Sequence, residues 1–154
     1  MHLLEIDDVP RPVGYSLYQG MVFNHGQART HAKLSYHAET AFDDGDVPRV
    51  LNASTDEWLC ATIEFLGAVQ VSVNEWDGDE GSGHRLCEFG LRKNCFFELI
   101  DGPLANEVEP SVSSPSSSSA FRHYVYAFRT RVFEVLAWHY RVSVARQSII
   151  EALR

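Results

Sequence analysis

The chain has 154 residues, 45% of them apolar and 22% charged, with 21 acidic against 13 basic side chains and a formal charge of −8. A chain of that size makes one ordinary domain (1–154) with one core, and this balance excludes wholesale disorder. The negative charge disfavours nucleic-acid binding through phosphate neutralisation and suits a basic protein partner.

Residues 1–8 contain neither a basic segment nor a sustained apolar run, and no stretch approaches roughly 18 consecutive apolar residues, so the sequence predicts no signal peptide, no membrane span and a cytoplasmic protein. Residues 2–6 read as a strand ended by Asp7, Asp8, Pro10 and Pro12, since proline cannot donate to a ladder. Residues 15–23 read as a second strand broken at Gly20, and residues 25–42 fit either a strand or a short helix. His25, His31 and His37 recur every six residues and would share one face of a continuous strand. Metal binding needs imidazoles that converge, and six residues of strand span about 20 Å. The three histidines would have to be brought together by the chain folding back, with Asp43, Asp44 or Asp46 completing the set. The expectation is therefore no metal and no cofactor, with these histidines the residues to watch.

Asp43-Asp44-Gly45-Asp46 followed by Pro48 is a surface loop. Residues 58–65 and 69–76 alternate apolar and polar with a strict period of two, the best strand signal in the chain. They read as parts of one antiparallel sheet, either a hairpin or one long bent strand. Asp77-Gly78-Asp79-Glu80-Gly81 resembles a calcium loop in its oxygen content but lacks the remaining ligand spacing and the terminal glutamate, which leaves a solvated turn. Residues 85–91 and 95–100 read as a further strand pair. Residues 108–120 are rich in Ser and Pro and predict a mobile internal loop. Cys60, Cys87 and Cys95 are odd in number and lack C-x-x-C spacing, which points to free thiols in a reducing compartment rather than to a disulfide framework or zinc site.

The stretch 121–144 carries the greatest aromatic weight. Val, Tyr, Phe and Trp favour a pleated surface, so 122–128 and 132–144 read as strands, although 130–144 also fits the spacing of a helix face. As a strand, 132–144 places Glu134 among Val132, Leu136, Trp138 and Tyr140, where a carboxylate needs a partner. Arg122 is the first choice for a structural ion pair across the hairpin, with Arg129, Arg141 and His123 as alternatives. Ile149, Ile150 and Leu153 have helical spacing and predict a short closing helix over 145–154, with Ser143 as its cap. There is no nucleophile elbow, Walker motif or dinucleotide fingerprint.

The segments His123-Tyr124-Val125-Tyr126, Phe133-Glu134-Val135-Leu136-Ala137 and Tyr140-Arg141-Val142 resemble the closing strands of small bacterial domains, some of which are similar to immunity proteins of polymorphic toxin systems. Ile63 to Val69 is similar to a strand pair of the same families. The resemblance implies a β-rich fold and a role in protein–protein interaction.

Together these readings predict an α+β, mainly antiparallel β-sheet domain of six to eight strands with a short C-terminal helix. The expected function is a non-enzymatic interaction domain, monomeric or homodimeric, that meets a basic protein through Asp43, Asp44, Asp46, Asp77, Asp79 and Glu80. The alternative is a small-ligand-binding domain or metal-dependent enzyme that gathers His25, His31, His37, His123 or Glu134 in one pocket.

Overall fold

Successive residues of a strand turn their side chains to opposite faces, so alternating sequences make strands with one buried face. In the computed structural model, which describes residues 1–13, 19–25, 30–38, 59–103 and 121–154, the described residues form nine strands: β1 (His2–Ile6), β2 (Gln19–His25), β3 (Thr30–His37), β4 (Leu59–Leu66), β5 (Gln70–Glu75), β6 (Cys95–Ile100), β7 (Arg122–Ala127), β8 (Arg131–Ala137) and β9 (His139–Arg146). Every pairing is antiparallel. One short helix, α1 (Ile149–Leu153), follows the last strand. The expected architecture is present with one strand more than its upper count. The expected loop at 108–120 lies outside the described residues.

The strands make two sheets, in the orders β1-β6-β7-β8-β5 and β2-β3-β4-β9. Two of the sequence's strand segments are each divided between them. Residues 59–76 are not a hairpin and do not lie in one sheet, because β4 belongs to the second sheet and β5 to the first. Residues 132–144 likewise break at Trp138 into β8 in the first sheet and β9 in the second. Because β4 pairs with β9 and β5 with β8, the two segments form one antiparallel ribbon that bends where it passes between sheets. The bend is closed by Trp138 N–H donating to the Leu66 carbonyl at 3.0 Å and Val69 N–H donating to the Leu136 carbonyl at 2.9 Å. Gly67 sits at the corner with φ +64°, and a Cβ there would lie 2.4 Å from Cε3 of Trp138. Glycine is required twice over, by the dihedral and by the indole.

The main core lies between the sheets. Leu34 and Tyr36 of β3 and Ile63 and Phe65 of β4 face Phe96 of β6, Tyr124 and Tyr126 of β7, and Phe133 and Val135 of β8. Phe96 is the hub of the aromatic packing: its ring centroid lies 5.8 Å from Tyr124 in a stack, and 5.2 Å from Tyr140 edge to face. Burying each such side chain contributes roughly 1.5–3 kcal/mol.

A second cluster covers the opposite face of the first sheet. Phe97, Leu99, Val125 and Val132 there pack against Trp76, Leu86 and Leu91 of the connection between β5 and β6. Residues 85–91, expected as a strand, are instead a turn leading into a short 3-10 helix at Cys87–Phe89. Their apolar residues cover a sheet face rather than extend the sheet. The closing helix is shorter than expected and is capped by Ser148, not Ser143: Ser148 Oγ accepts from Glu151 N–H at 3.2 Å, and the Glu151 carboxylate accepts from Ser148 N–H at 3.0 Å. This reciprocal pair satisfies two otherwise orphaned groups at the helix start.

Residues 7–13, which follow β1, are held by side chains and backbone of both sheets. The Pro10 carbonyl accepts hydrogen bonds from Tyr36 at 2.6 Å and Tyr126 at 3.2 Å, and Val13 N–H donates to the His37 carbonyl. Tyr140 donates to Asp8 at 2.8 Å.

The corner makes a measurable demand. Gly67→Ala should lower unfolding stability by at least about 2 kcal/mol in urea titrations followed by tryptophan fluorescence. Gly81→Ala is the control, because Gly81 has a similar φ of +65° but open space around the added Cβ, and should cost only about 1 kcal/mol. Equal losses would show that the Trp138 contact does not constrain the bend.

Candidate functional site

The strongest acid–base constellation in the described residues is centred on Glu134. In mid-β8 it lies opposite Val125 of β7 and Ser72 of β5, on the face of the first sheet turned away from the second. It is 4% exposed. Three side chains reach its carboxylate: His123 Nε2 at 2.8 Å, Arg85 Nη2 at 2.5 Å and His84 Nε2 at 3.3 Å. His123 comes from β7, on the same face as Val125. His84 and Arg85 come from the covering connection, where Trp76 Nε1 donates to the Phe128 carbonyl at 2.7 Å and anchors its first residue.

Arg122, the expected partner, does not reach Glu134. As the immediate neighbour of His123 it points to the opposite face, where its guanidinium lies 3.5 Å from Glu98. The period of two that put Glu134 among apolar residues also excludes Arg122 from its side of the sheet. His84 and Arg85 were hidden because a strand reading of 85–91 gave them no reason to return over β8. The usable signal was the glycine-rich turn before them, which lets the chain reverse across the sheet.

The hydrogen-bond pattern fixes the proton positions. His84 Nδ1 accepts from Leu86 N–H at 3.3 Å, so Nε2 is the nitrogen that donates to Glu134. His123 donates through Nε2, and its Nδ1 is buried without a hydrogen-bond partner. Burial pushes the Glu134 carboxyl up, but the hydrogen bonds from His123 and His84, with the positive charge of Arg85, outweigh that and hold it at about 2, well below its ordinary 4.5. The carboxylate is thus ionised, held by three donors and covered by the chain. A general base must reach the proton it abstracts, and here three of about four acceptor sites are taken by the protein itself and the group is buried. The arrangement fixes the cover to the sheet.

Of the expected ligand-gathering histidines, His31 and His37 do not meet, and the side chain of His25 lies outside what the structure describes. β2 and β3 pair antiparallel, so His25 ends one strand and His31 lies opposite Asn24 across the pair. The Asn24 amide approaches His31 Nε2 at 3.4 Å. His37 occupies the far end of β3 from His31, about 20 Å along the strand, and burial lowers its pKa. Among the described residues no three His, Cys, Asp or Glu side chains are grouped to hold a metal ion.

Of the expected partner-binding acids, Asp43, Asp44 and Asp46 lie outside the described residues. Asp77, Asp79 and Glu80 share the turn between β5 and the 3-10 helix and are all exposed. Asp77 Oδ1 accepts from the N–H groups of Asp79 and Glu80, both at 3.0 Å, and a pair of backbone hydrogen bonds with Ser82 closes the turn. Asp79 is taken by Lys93 and by Arg129, whose Nε donates at 2.8 Å, and these hydrogen bonds hold its carboxyl below the ordinary range. Asp77 and Glu80 form no ion pair among the described residues.

A cleft of about 190 Å³ lies at the end of β1, between Ile6, Val9 and Asn94 to Phe96, with Glu5, Asp7 and Arg11 at its rim. The thiols of Cys60 and Cys95 are buried and that of Cys87 half-buried, and none forms a disulfide. No described helix is long and apolar enough to cross a membrane.

The chain matches no family model, no curated protein and no solved structure. Its function must therefore be argued from these groups alone.

Glu134 gives a pH test with a defined sign. Its pKa in the folded state is depressed, so its contribution is full above about pH 4.5 and is lost as the pH falls toward 2. Wild type should lose roughly 3 kcal/mol from this group across that window. Glu134→Gln should be the less stable protein near neutral pH, by about 3 kcal/mol, and should have a correspondingly flatter acid limb in urea titrations. Parallel acid limbs would remove Glu134 as their cause.

Proposed function

We propose that the protein is a non-enzymatic interaction domain, of immunity type, that binds a basic protein partner in the cytoplasm. The observation that carries this reading is the turn at 77–82: a loop held by its own hydrogen bonds on a rigid sheet, presenting Asp77 and Glu80 to solvent without counter-ions among the described residues. Loops positioned in this way are where recognition concentrates, and unpaired exposed acids steer a cationic partner. The distribution of charge favours the same reading. Thirteen of the 21 acidic and eleven of the 13 basic residues belong to the described framework, which therefore carries −2 of the −8. The rest of the excess belongs to the remaining segments, including Asp43, Asp44 and Asp46. Three free cysteines accord with a reducing compartment. The enzyme alternative is less favoured, because His123 and Glu134 are joined in a closed structural network and His31 and His37 stand apart.

The test is affinity capture from a cell extract by the immobilised protein at low salt, followed by mass spectrometry. A partner rich in Lys and Arg is expected. Asp77→Asn with Glu80→Gln should weaken its binding about tenfold and flatten the salt dependence, and Asp43, Asp44 and Asp46 to Asn should add to that loss. A captured partner that binds the neutralised variants as well as wild type would overturn the reading, as would a partner that is not basic.

A further inference from the structure

The cleft at the end of β1 combines features that the proposed interaction surface does not use. Its apolar side is made by Ile6, Val9 and Phe96. At its rim Glu5 is already neutralised by Arg92, and Arg11 approaches the same carboxylate only at 4.0 Å, with its side chain 67% exposed. Arg11 is thus the loosely held cation of the cleft, and Asp7, exposed and without an ion pair among the described residues, is its free anion. Asn94, half-buried on the third side, holds a left-handed φ of +60° while its N–H donates to the Ala127 carbonyl at 2.6 Å. No hydrogen bond occupies its side-chain amide among the described residues. Backbone conformations of this kind persist where surrounding structure enforces them, often beside ligands.

A cleft with one available cation, one available anion, a free amide and a small apolar wall is complementary to a small dipolar ion. A cavity of roughly 150 Å³ holds a benzene ring, so about 190 Å³ suits a small amino acid. We propose that this cleft binds a free α-amino acid with a small side chain, its carboxylate on Arg11, its ammonium on Asp7 and its side chain against Val9 and Phe96. The guanidinium offers two parallel donors to a carboxylate, which a lysine at that place would not. Asn94 serves either end of the ligand, because its amide both donates and accepts. The site is separate from the acidic turn, so the two readings stand or fall independently.

The experiment is a proton–nitrogen NMR titration of the full chain with L-alanine, L-serine and L-valine. Saturable shifts at residues 5–9, 11 and 94–96 are expected. N-acetyl-L-alanine and L-alaninamide each lack one charge and should bind about tenfold or more weakly than L-alanine. Arg11→Gln and Asp7→Asn, both at exposed positions, should keep the folded spectrum and each weaken L-alanine binding by a similar factor. The proposal is overturned if no free amino acid shifts these resonances at millimolar concentration, or if neither variant changes the binding that is seen.

Discussion

The bend at Gly67 and Trp138 is the constraint on which the rest of the molecule depends. A sandwich can be closed by loops that join separate sheets, or by strands that pass from one sheet into the other. Here a whole two-stranded ribbon makes the passage, with β4 and β9 on one side of the corner and β5 and β8 on the other. The ladder is nearly continuous through the turn, so the relative placement of the sheets is set by backbone hydrogen bonds as well as by side-chain packing. Trp138 takes up the space that a Cβ on Gly67 would need, and the Phe121 ring stacks on its indole at 5.7 Å.

Once the sheets are fixed, each face of the first sheet receives a different chemistry. The inner face holds the aromatic cluster around Phe96, where rings meet in stacked and edge-to-face contacts. The outer face is too apolar to be left in water and is covered by the connection from Trp76 to Leu91. Glu134 gives that cover a specific seat. Apolar packing would tolerate several positions of a short connection on a sheet, whereas a buried carboxylate that requires His84, His123 and Arg85 together tolerates one. Removing one partner leaves a charge unsatisfied in the interior, which is costlier than losing an ordinary contact.

The tyrosines perform a similar service for the residues after β1. Tyr36 and Tyr126, from opposite sheets, both donate to the Pro10 carbonyl, and Tyr140 donates to Asp8. Burial raises the pKa of all three, so they remain hydrogen-bond donors throughout the physiological range. The segment that lines the cleft at the end of β1 is therefore fixed from beneath by core side chains. A charged rim on a fixed segment would be pre-organised for the proposed ligand, and an acidic turn fixed by its own hydrogen bonds for the proposed partner. The buried titratable groups maintain this frame.

The sequence by itself determined the local periodicity: strands read at 2–6, 58–65, 69–76, 95–100 and 122–128, which the structure shifts by a residue or so, the antiparallel β class, the closing helix and the need of Glu134 for a partner. These follow from alternation and propensity, which act over a few residues. It did not show that 132–144 divides at Trp138, because the alternation runs on across the bend without interruption. Nor did it place His84 and Arg85 on Glu134, since that contact joins residues about fifty positions apart through a cover whose apolar residues resembled a strand. The cleft was equally hidden, because Asn94 belongs to a segment far in sequence from Asp7 and Arg11, and only the β1–β6 pairing brings them together. What the tertiary structure alone decided was which faces met, and the reason is physical: a strand's pattern says which residues share a side but not what lies against it.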